Sequence, residues 1–327
     1  MSDLLAKCEV CGSLVDEEDL FCANCGTEAS RSEDREDARE DTARLTTCNF
    51  QCQGCGASMS YDAREQGLRC PFCGSGDLEK KQDEKSLAPR RVVPFQIDRN
   101  QAESAMREWL GRGFWRPGKL AAEAAVVEMT PVYVPYWVFR AKTHTHWTAD
   151  TSDTPSGARG DWYPLSGEHH EEYSGLLIGA SGALTAGETA AIHPFDLGQG
   201  VPPEQVDLDN VTVERFSLQR KYARPIARQS LEQRVQQDVD QRYVPGRSRN
   251  IHANVRVESM SSEPVLLPVW IMAYRYQDKL YRFLVNGQTG KSAGQAPTAL
   301  GKVLLVAGAV CLGALLLLML IGAIAGS

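Results

Sequence analysis

The sequence predicts an α+β fold: a β-rich globular middle with a few helices, preceded by two small cysteine-rich units and followed by one long apolar helix. Three observations lead to this fold class. Four Cys-x-x-Cys-Gly motifs lie in the first quarter of the chain, runs of β-branched and aromatic residues fill the middle, and residues 303–325 are apolar. A chain of 327 residues has room for two or three domains.

The four cysteine motifs indicate metal binding. Two residues between cysteines let both thiolates reach one ion, and the glycine that follows lets the backbone fold beneath it with a positive φ. Four thiolates in a tetrahedral array suit Zn²⁺. We therefore expect two structural zinc ions, held in zinc ribbon 1 (residues 1–28) and zinc ribbon 2 (residues 48–75). Their ligands are Cys8, Cys11, Cys22 and Cys25 in ribbon 1, and Cys52, Cys55, Cys70 and Cys73 in ribbon 2.

One further cysteine lies close to this set. Cys48 precedes Cys52 by four residues, so it is either a free thiol or an alternative ligand. Residues 29–47 and 76–90 are polar and charged, and they predict solvated linkers on either side of ribbon 2.

The charge distribution argues against nucleic acid as the main partner. The net charge is −7, and ribbon 1 alone carries seven acidic side chains against one basic. Affinity for nucleic acid comes largely from Lys and Arg on phosphates, so an acidic ribbon is poorly suited to it. A nucleic-acid-binding regulator that uses ribbon 2 remains the first alternative; its candidate phosphate contacts are Arg64, Arg69, Lys80, Lys81, Arg90 and Arg91.

The globular region covers residues 91–298. Helical spacing of apolar residues predicts helices over 101–110, with Asp98 as N-cap, and over 230–243. Runs rich in β-branched and aromatic residues predict the strands 92–95, 132–148, 161–163, 172–178, 250–258 and 265–285. Segments 134–138 and 267–271 resemble each other, which predicts two related halves unless a Pro-x-Trp sequence has simply occurred twice.

Two other motifs, a group of histidines and a glycine-containing loop, resemble metal-binding and nucleotide-binding sites. His144 and His146 share one face of a predicted strand, and His169 and His170 lie beside three glutamates, so these histidines are able to converge on a metal. They leave a membrane-bound metal-dependent enzyme as the second alternative, whereas an exposed polar strand explains them more simply. Residues 285–292 resemble a P-loop but lack its first glycine and its helix, so a hairpin turn is expected there. We expect no enzymatic activity.

The apolar C-terminal segment predicts a transmembrane helix over residues 303–325. It contains no charge and no proline, and as a helix it would extend about 35 Å, against a hydrocarbon core of about 30 Å. Lys291 and Lys302 on its N-terminal side, together with the reduced cysteine pairs, predict a tail-anchored protein with its soluble part in the cytoplasm. Small residues spaced four apart in the segment suggest a homo-oligomer formed through the span.

Several segments together resemble a known bacterial family. The knuckle 70–74 (Cys-Pro-Phe-Cys-Gly) and the segments 93–95, 132–139 and 281–291 are similar to the TFIIB-type zinc-ribbon membrane proteins. Some members are described as relatives of the primosomal replication-restart helicase, but this chain has neither a P-loop nor a DEAD-like acidic box. The resemblance covers residues 48 to about 302. It implies a place in the bacterial cell membrane and protein partners of the phage-shock or band-7 (SPFH-like) type.

Taken together, these features predict a non-enzymatic scaffold. We expect a membrane-anchored zinc-ribbon adaptor that recruits protein partners at the cytoplasmic face of the membrane, in envelope maintenance or a stress response.

Overall fold

The computed structural model describes most of the chain. The described residues are 3–4, 6–15, 21–22, 24–27, 48–61, 69–81, 87–208, 211–277, 279–299, 302, 306 and 308–314. The predicted linker 29–47 lies outside them.

Thirteen strands are found among the described residues. In chain order they are β1 (Asp3–Leu4), β2 (Ala6–Lys7), β3 (Leu14–Val15), β4 (Cys48–Cys52), β5 (Ser58–Tyr61), β6 (Leu78–Lys81), β7 (Arg91–Val92), β8 (Ala125–Thr151), β9 (Tyr163–Gly179), β10 (Thr212–Glu214), β11 (Ser248–Tyr276), β12 (Lys279–Asn286) and β13 (Ser292–Gly294). The α-helices before residue 299 are α1 (Arg99–Gly111), α2 (Leu120–Glu123), α3 (Ala186–Ala191) and α4 (Arg220–Asp238). Short 3₁₀ turns occur at Leu197–Gln199 and Pro203–Gln205, and a π-helical turn, Val239–Tyr243, extends α4.

The predicted α+β class is wrong, because the fold is mostly β. Eleven strands form one sheet in the order β13-β12-β11-β8-β10-β5-β4-β6, with β1 and β7 pairing with β11, and β9 with β8. Only β2 and β3 form a separate two-stranded sheet. The strands of ribbon 2 belong to the large sheet, so ribbon 2 and the globular region are not segregated as an α+β arrangement would require.

Two long strands form the middle of this sheet. β8 and β11 pair antiparallel along nearly their whole lengths, with register shifts between Arg249 and His252, between Val257 and Ser259, and between Ala273 and Tyr274. Both contain the β-branched and aromatic runs that led to the predicted strands, and both are longer than predicted. Their apolar segments pair with each other and are buried, whereas their polar segments pair in an arm of the sheet with one exposed face.

The pairing of β8 with β11 has an approximate twofold symmetry, whose axis passes through the residue pair Val134–Leu267. The similar segments 134–138 and 267–271 therefore meet at this pair and extend from it in opposite directions, each pairing with the residues that precede the other. β7 pairs parallel with β11 just as β10 pairs parallel with β8.

The tryptophans of the two segments make equivalent contacts. The indole N–H of Trp137 donates to the carbonyl of Leu218 and that of Trp270 to the carbonyl of Ile97, both at 2.8 Å. Each accepting residue closely precedes a long helix, α4 or α1. The related halves stay a prediction, and these matching contacts support it.

The two long helices pack against the same face of the sheet, α1 at the end that contains Trp270 and Met272 and α4 at the end that contains Trp137 and Phe139. α1 confirms the predicted helix, because Asp98 accepts from the Gln101 amide and the Gln101 side chain returns a bond to Asp98. α4 begins ten residues earlier than predicted and packs Leu231 and Val235 against the arm of β8, β9 and β11. A further core cluster lies between the opposite face of the sheet and ribbon 2.

The structure contradicts the predicted transmembrane helix over residues 303–325. Within the part of the chain that is described, no helix is long and apolar enough to cross a membrane. The continuous described helix there, 308–314, extends only about 10 Å, while residues 303–305, 307 and 315–325 lie outside the described residues. Just before it, the Lys302 ammonium donates to the carbonyls of Phe114 and Arg116, at 3.1 and 2.9 Å.

The predictions that depended on this span are corrected with it. They are the single-pass, tail-anchored state, the location in the bacterial cell membrane with a cytoplasmic soluble part, the membrane as a partner, and a homo-oligomer formed through the span.

One acidic side chain is buried where ribbon 2 joins the sheet. Glu214 in β10 is 1% exposed, and its Oε1 accepts from the Ser181 hydroxyl and from the amides of Gly182 and Ala183, at 2.8, 2.9 and 3.2 Å. Burial raises the pKa of Glu214 to about 7, although these hydrogen bonds oppose the rise.

Replacing this carboxyl should change the pH dependence of stability. Because the folded pKa lies above the ordinary value of 4.5, the stability that protonated Glu214 contributes is fully present below pH 4.5 and is lost as the pH rises through about 7. Glu214→Gln keeps the accepting oxygen and does not ionise. Between pH 4.5 and 7, we expect the free energy of unfolding of Glu214→Gln to rise relative to that of the natural chain by on the order of 3 kcal/mol. Urea unfolding at a series of pH values measures this difference. Identical pH dependence in both proteins would contradict this role for Glu214.

Candidate metal centres

The four cysteine knuckles share one local geometry. In each, the amide of the glycine donates to the carbonyl of the first cysteine at 2.7–2.8 Å, which closes a tight turn. The four glycines have φ between 69° and 76°, a region that side chains disfavour. The predicted positive φ of the glycine that follows each cysteine pair is confirmed. The glycines are Gly12, Gly26, Gly56 and Gly74.

In ribbon 2 the turns bring four sulfur atoms together. The Sγ atoms of Cys52 and Cys73 are 3.5 Å apart and those of Cys55 and Cys70 are 3.6 Å apart, with all four within 4.8 Å of one another. A tetrahedral ion with metal–sulfur bonds of about 2.3 Å places its sulfurs about 3.8 Å apart. The tetrad is therefore able to hold a metal ion.

Ribbon 1 repeats this arrangement. The Sγ atoms of Cys8 and Cys25 are 3.6 Å apart, and those of Cys11 and Cys22 are 3.5 Å apart. These four atoms also lie within 4.8 Å of one another, so this tetrad is able to hold a second ion.

The two centres have different surroundings. Cys52 and Cys70 are buried and belong to the same core cluster as Met59, Val134 and Leu267. β5 of ribbon 2 pairs with β10, which in turn pairs with β8. Ribbon 2 is thus built into the main sheet, and β6 continues it into the segment predicted as a linker.

A charged pair fixes one knuckle of ribbon 2 to the sheet. The guanidinium of Arg282 in β12 donates to the carbonyls of Phe72 and Ala183, at 3.4 and 3.2 Å, and makes a salt bridge with Glu188 at 2.6 Å. Burial raises the pKa of Glu188, but hydrogen bonds from Thr185 and Arg282 outweigh that effect and lower it. Sequence reasoning missed this pair, because no local pattern links positions so far apart.

Ribbon 1 is far more exposed. Cys11 and Cys25 are exposed, and only Cys22 of its ligands is buried. Two apolar side chains beside its cysteines face solvent, Val10 at 69% and Phe21 at 59% exposure. Among the described residues, ribbon 1 joins the main sheet through β1, which pairs with β11 at residues 261–262.

The thiols differ in how readily they lose a proton. Burial raises the pKa of Cys70, and it raises the pKa of Cys55 to about 11. A hydrogen bond with the Ser13 side chain is the main cause that lowers the pKa of Cys11 to about 5. Because the thiolate is the ligand, metal binding must displace protons from ribbon 2 at neutral pH.

Two further sequence predictions concern Cys48 and the turn that follows β12. Cys48 lies at the opposite end of β4 from Cys52, where its backbone pairs with Tyr61. The predicted hairpin turn after β12 is confirmed, since Asn286 and Lys291 close it through their backbones and β13 follows.

The histidines lie on neighbouring strands. His144 and His146 in β8 share a face with His170 in β9, whereas His169 points to the other face and stacks on Tyr243 with ring centroids 4.5 Å apart. Burial lowers the pKa of His169, so its charged form is disfavoured. Sequence reasoning did not include Glu258 of β11, which the sheet register brings beside His170.

The different surroundings predict different consequences of losing each metal. Cys70→Ser removes a buried ligand from the main core, so we expect the free energy of unfolding of the β-sheet to fall by more than about 4 kcal/mol, a size typical of losing a structural metal. Cys11→Ser removes an exposed ligand and should leave the main unfolding transition unchanged. Thermal and urea unfolding followed by tryptophan fluorescence measure both. Equal destabilisation by the two variants would contradict this difference.

Comparison with known proteins gives little functional information. No protein-family model matches the chain, and no solved structure matches it significantly. The chain is similar to "Uncharacterized protein YdjG" of Bacillus subtilis (strain 168), with 25% identity in an alignment 312 positions long, gaps included, that covers 78% of this chain and 92% of YdjG.

Proposed function

We propose that the chain is a zinc-ribbon adaptor. In this proposal both cysteine tetrads bind Zn²⁺ as structural ions, ribbon 2 is a fixed part of the β-sheet, and ribbon 1 recruits a protein partner. The observation that carries it is the contrast between the two ribbons: one is buried in the core, and the other exposes apolar side chains on an acidic unit.

The choice of zinc rests on ligand chemistry. Four thiolates at these separations form a closed tetrahedral set, and a set of four protein ligands leaves no position for a substrate. Such a site stabilises a fold and does not catalyse. A hairpin as short as β2–β3 buries too little apolar surface to fold alone, so the metal supplies the stability that a core would provide.

The recruiting role rests on the surface of ribbon 1. Val10 and Phe21 are exposed beside the cysteines of a small acidic unit, and exposed apolar side chains rimmed by polar residues are a mark of protein interaction sites. Ribbon 1 also carries seven acidic side chains against one basic. The fitting partner is therefore a protein with a basic surface around an apolar pocket, since complementary charge increases association rates and specificity. The resemblance to TFIIB-type zinc-ribbon proteins stays a prediction that fits this role.

The test is an affinity pull-down with the tagged full-length chain. We expect a protein partner that is retained by the natural chain and lost with the double variant Val10→Ser, Phe21→Ser. The matched control is Tyr222→Ser, Ile226→Ser on α4, because these side chains are exposed to 59% and 45%. Zinc content is measured for every variant to show that the ribbons remain folded.

Two results would contradict the proposal. One is a partner lost equally from the α4 control, and the other is no partner that depends on Val10 and Phe21. Binding that weakens as salt rises would support the charge complementarity.

A further inference from the structure

A second kind of metal-binding arrangement lies on the exposed face of the sheet. β8 runs between β9 and β11, and its alternate side chains point to opposite faces. Trp147 and Ala149 point to the face that packs against α4. His144 and His146 point to the other face, which faces solvent.

A carboxylate from the neighbouring strand reaches both imidazoles. Glu168 in β9 pairs directly with His146 in the register. Its Oε2 atom lies 3.4 Å from Nε2 of His144 and 3.3 Å from Nδ1 of His146. The three ligand atoms lie within 4.8 Å of one another.

These separations fit metal ligands better than hydrogen bonds. A charge-assisted hydrogen bond between imidazole and carboxylate is about 2.7–2.9 Å long, shorter than both distances. A tetrahedral ion with bonds of about 2.0–2.1 Å to nitrogen and oxygen places its ligand atoms about 3.3 Å apart. Glu168 is therefore at a distance where all three groups can share one ion.

We propose that His144, His146 and Glu168 bind a divalent transition metal ion of the zinc type. Two imidazoles and one glutamate form the ligand set with which zinc keeps an open coordination position. The site differs from the cysteine centres, which close the ion completely. It goes beyond the adaptor role, and only the absolute ion count in its test rests on zinc in both cysteine centres.

The open position is accessible from a cavity. His146 and Glu168 line a depression of about 540 Å³ together with Ser166, His252 and Asn254. An ion held by His146 and Glu168 is reachable from this space, so water or a small ligand with an oxygen or nitrogen donor can complete its coordination.

A competing set shares His144 and has poorer geometry. His144, His170 and Glu258 also have ligand atoms within 4.8 Å. However, the rings of His144 and His170 stack, with centroids 4.0 Å apart and an angle of 15° between planes. The lone pairs of stacked rings run side by side and do not converge, and His170 Nδ1 lies 3.9 Å from the Glu258 carboxylate.

Neighbouring charges affect the affinity of this site for a metal ion. Arg256 of β11 pairs with His144 in the register and is exposed on the same face, so its positive charge opposes a bound cation. Lys142 lies on this face too, but it forms an ion pair with Glu172 at 3.7 Å. Because only one carboxylate balances the ion, this site releases metal before the four-thiolate centres do.

The test is the zinc content of the full-length protein. After equilibrium dialysis against Zn²⁺ at fixed free concentration, we expect three ions per chain, and two after a weak chelator removes the third. His146→Gln and Glu168→Gln should bind two ions under the same conditions. The matched controls His170→Gln and Glu258→Gln, on the same exposed face, should still bind three.

A second readout shows that the ribbons are intact. With Co²⁺ as the probe, the thiolate-to-cobalt charge-transfer bands should be unchanged in His146→Gln, since only the cysteine centres produce them. The proposal is overturned if His146→Gln and Glu168→Gln bind as many zinc ions as the natural chain, if all four variants lose one ion equally, or if only the His170 and Glu258 variants lose one.

Discussion

The antiparallel pairing of β8 with β11 is the interaction on which the rest of the structure depends. The other strands of the large sheet attach to this pair directly or through a chain of strands: β9 and β10 attach to β8, and β1, β7 and β12 attach to β11. β13 follows through β12, while β5, β4 and β6 follow in turn from β10. The symmetric register about Val134 and Leu267 fixes both tryptophans at equivalent positions. Because a shift by one residue would exchange the buried and exposed faces, this register also places the histidines on the solvent side.

The same pairing explains why the two ribbons have different surroundings. Ribbon 2 reaches the pair through β10, so its cysteine tetrad shares a core with β8 and β11. Ribbon 1 is joined through the two-residue strand β1, and its ligands remain largely exposed. A metal built into a core stabilises the whole sheet, whereas a metal in a peripheral hairpin stabilises only the surface that the hairpin presents.

Features set by local sequence could be predicted, and features set by distant pairing could not. The knuckles follow from cysteine and glycine spacing, and the α1 cap follows from Asp98 and Gln101 three residues apart. The joining of ribbon 2 to the sheet depends on β10, three residues long with no pattern of its own. The contact of Glu168 with two histidines likewise depends on cross-strand register. The α+β class is wrong because the cysteine spacing of residues 48–75 predicts a separate unit and carries no sign of the pairing with β10. The predicted transmembrane helix depended on the composition of residues 303–325 alone.

The measurement that tests the central claim most directly is hydrogen exchange on the full-length chain with and without its metal. The account holds that the metal centre of ribbon 2 and the β8–β11 pair are one cooperative unit. Removing metal with a strong chelator should then increase exchange in residues 48–61 and 69–81, and also in 212–214 and 132–138, while the polar arm at 143–151 keeps its protection. Faster exchange confined to residues 48–81 would contradict the account, because it would show that the ribbon folds and unfolds independently of the sheet.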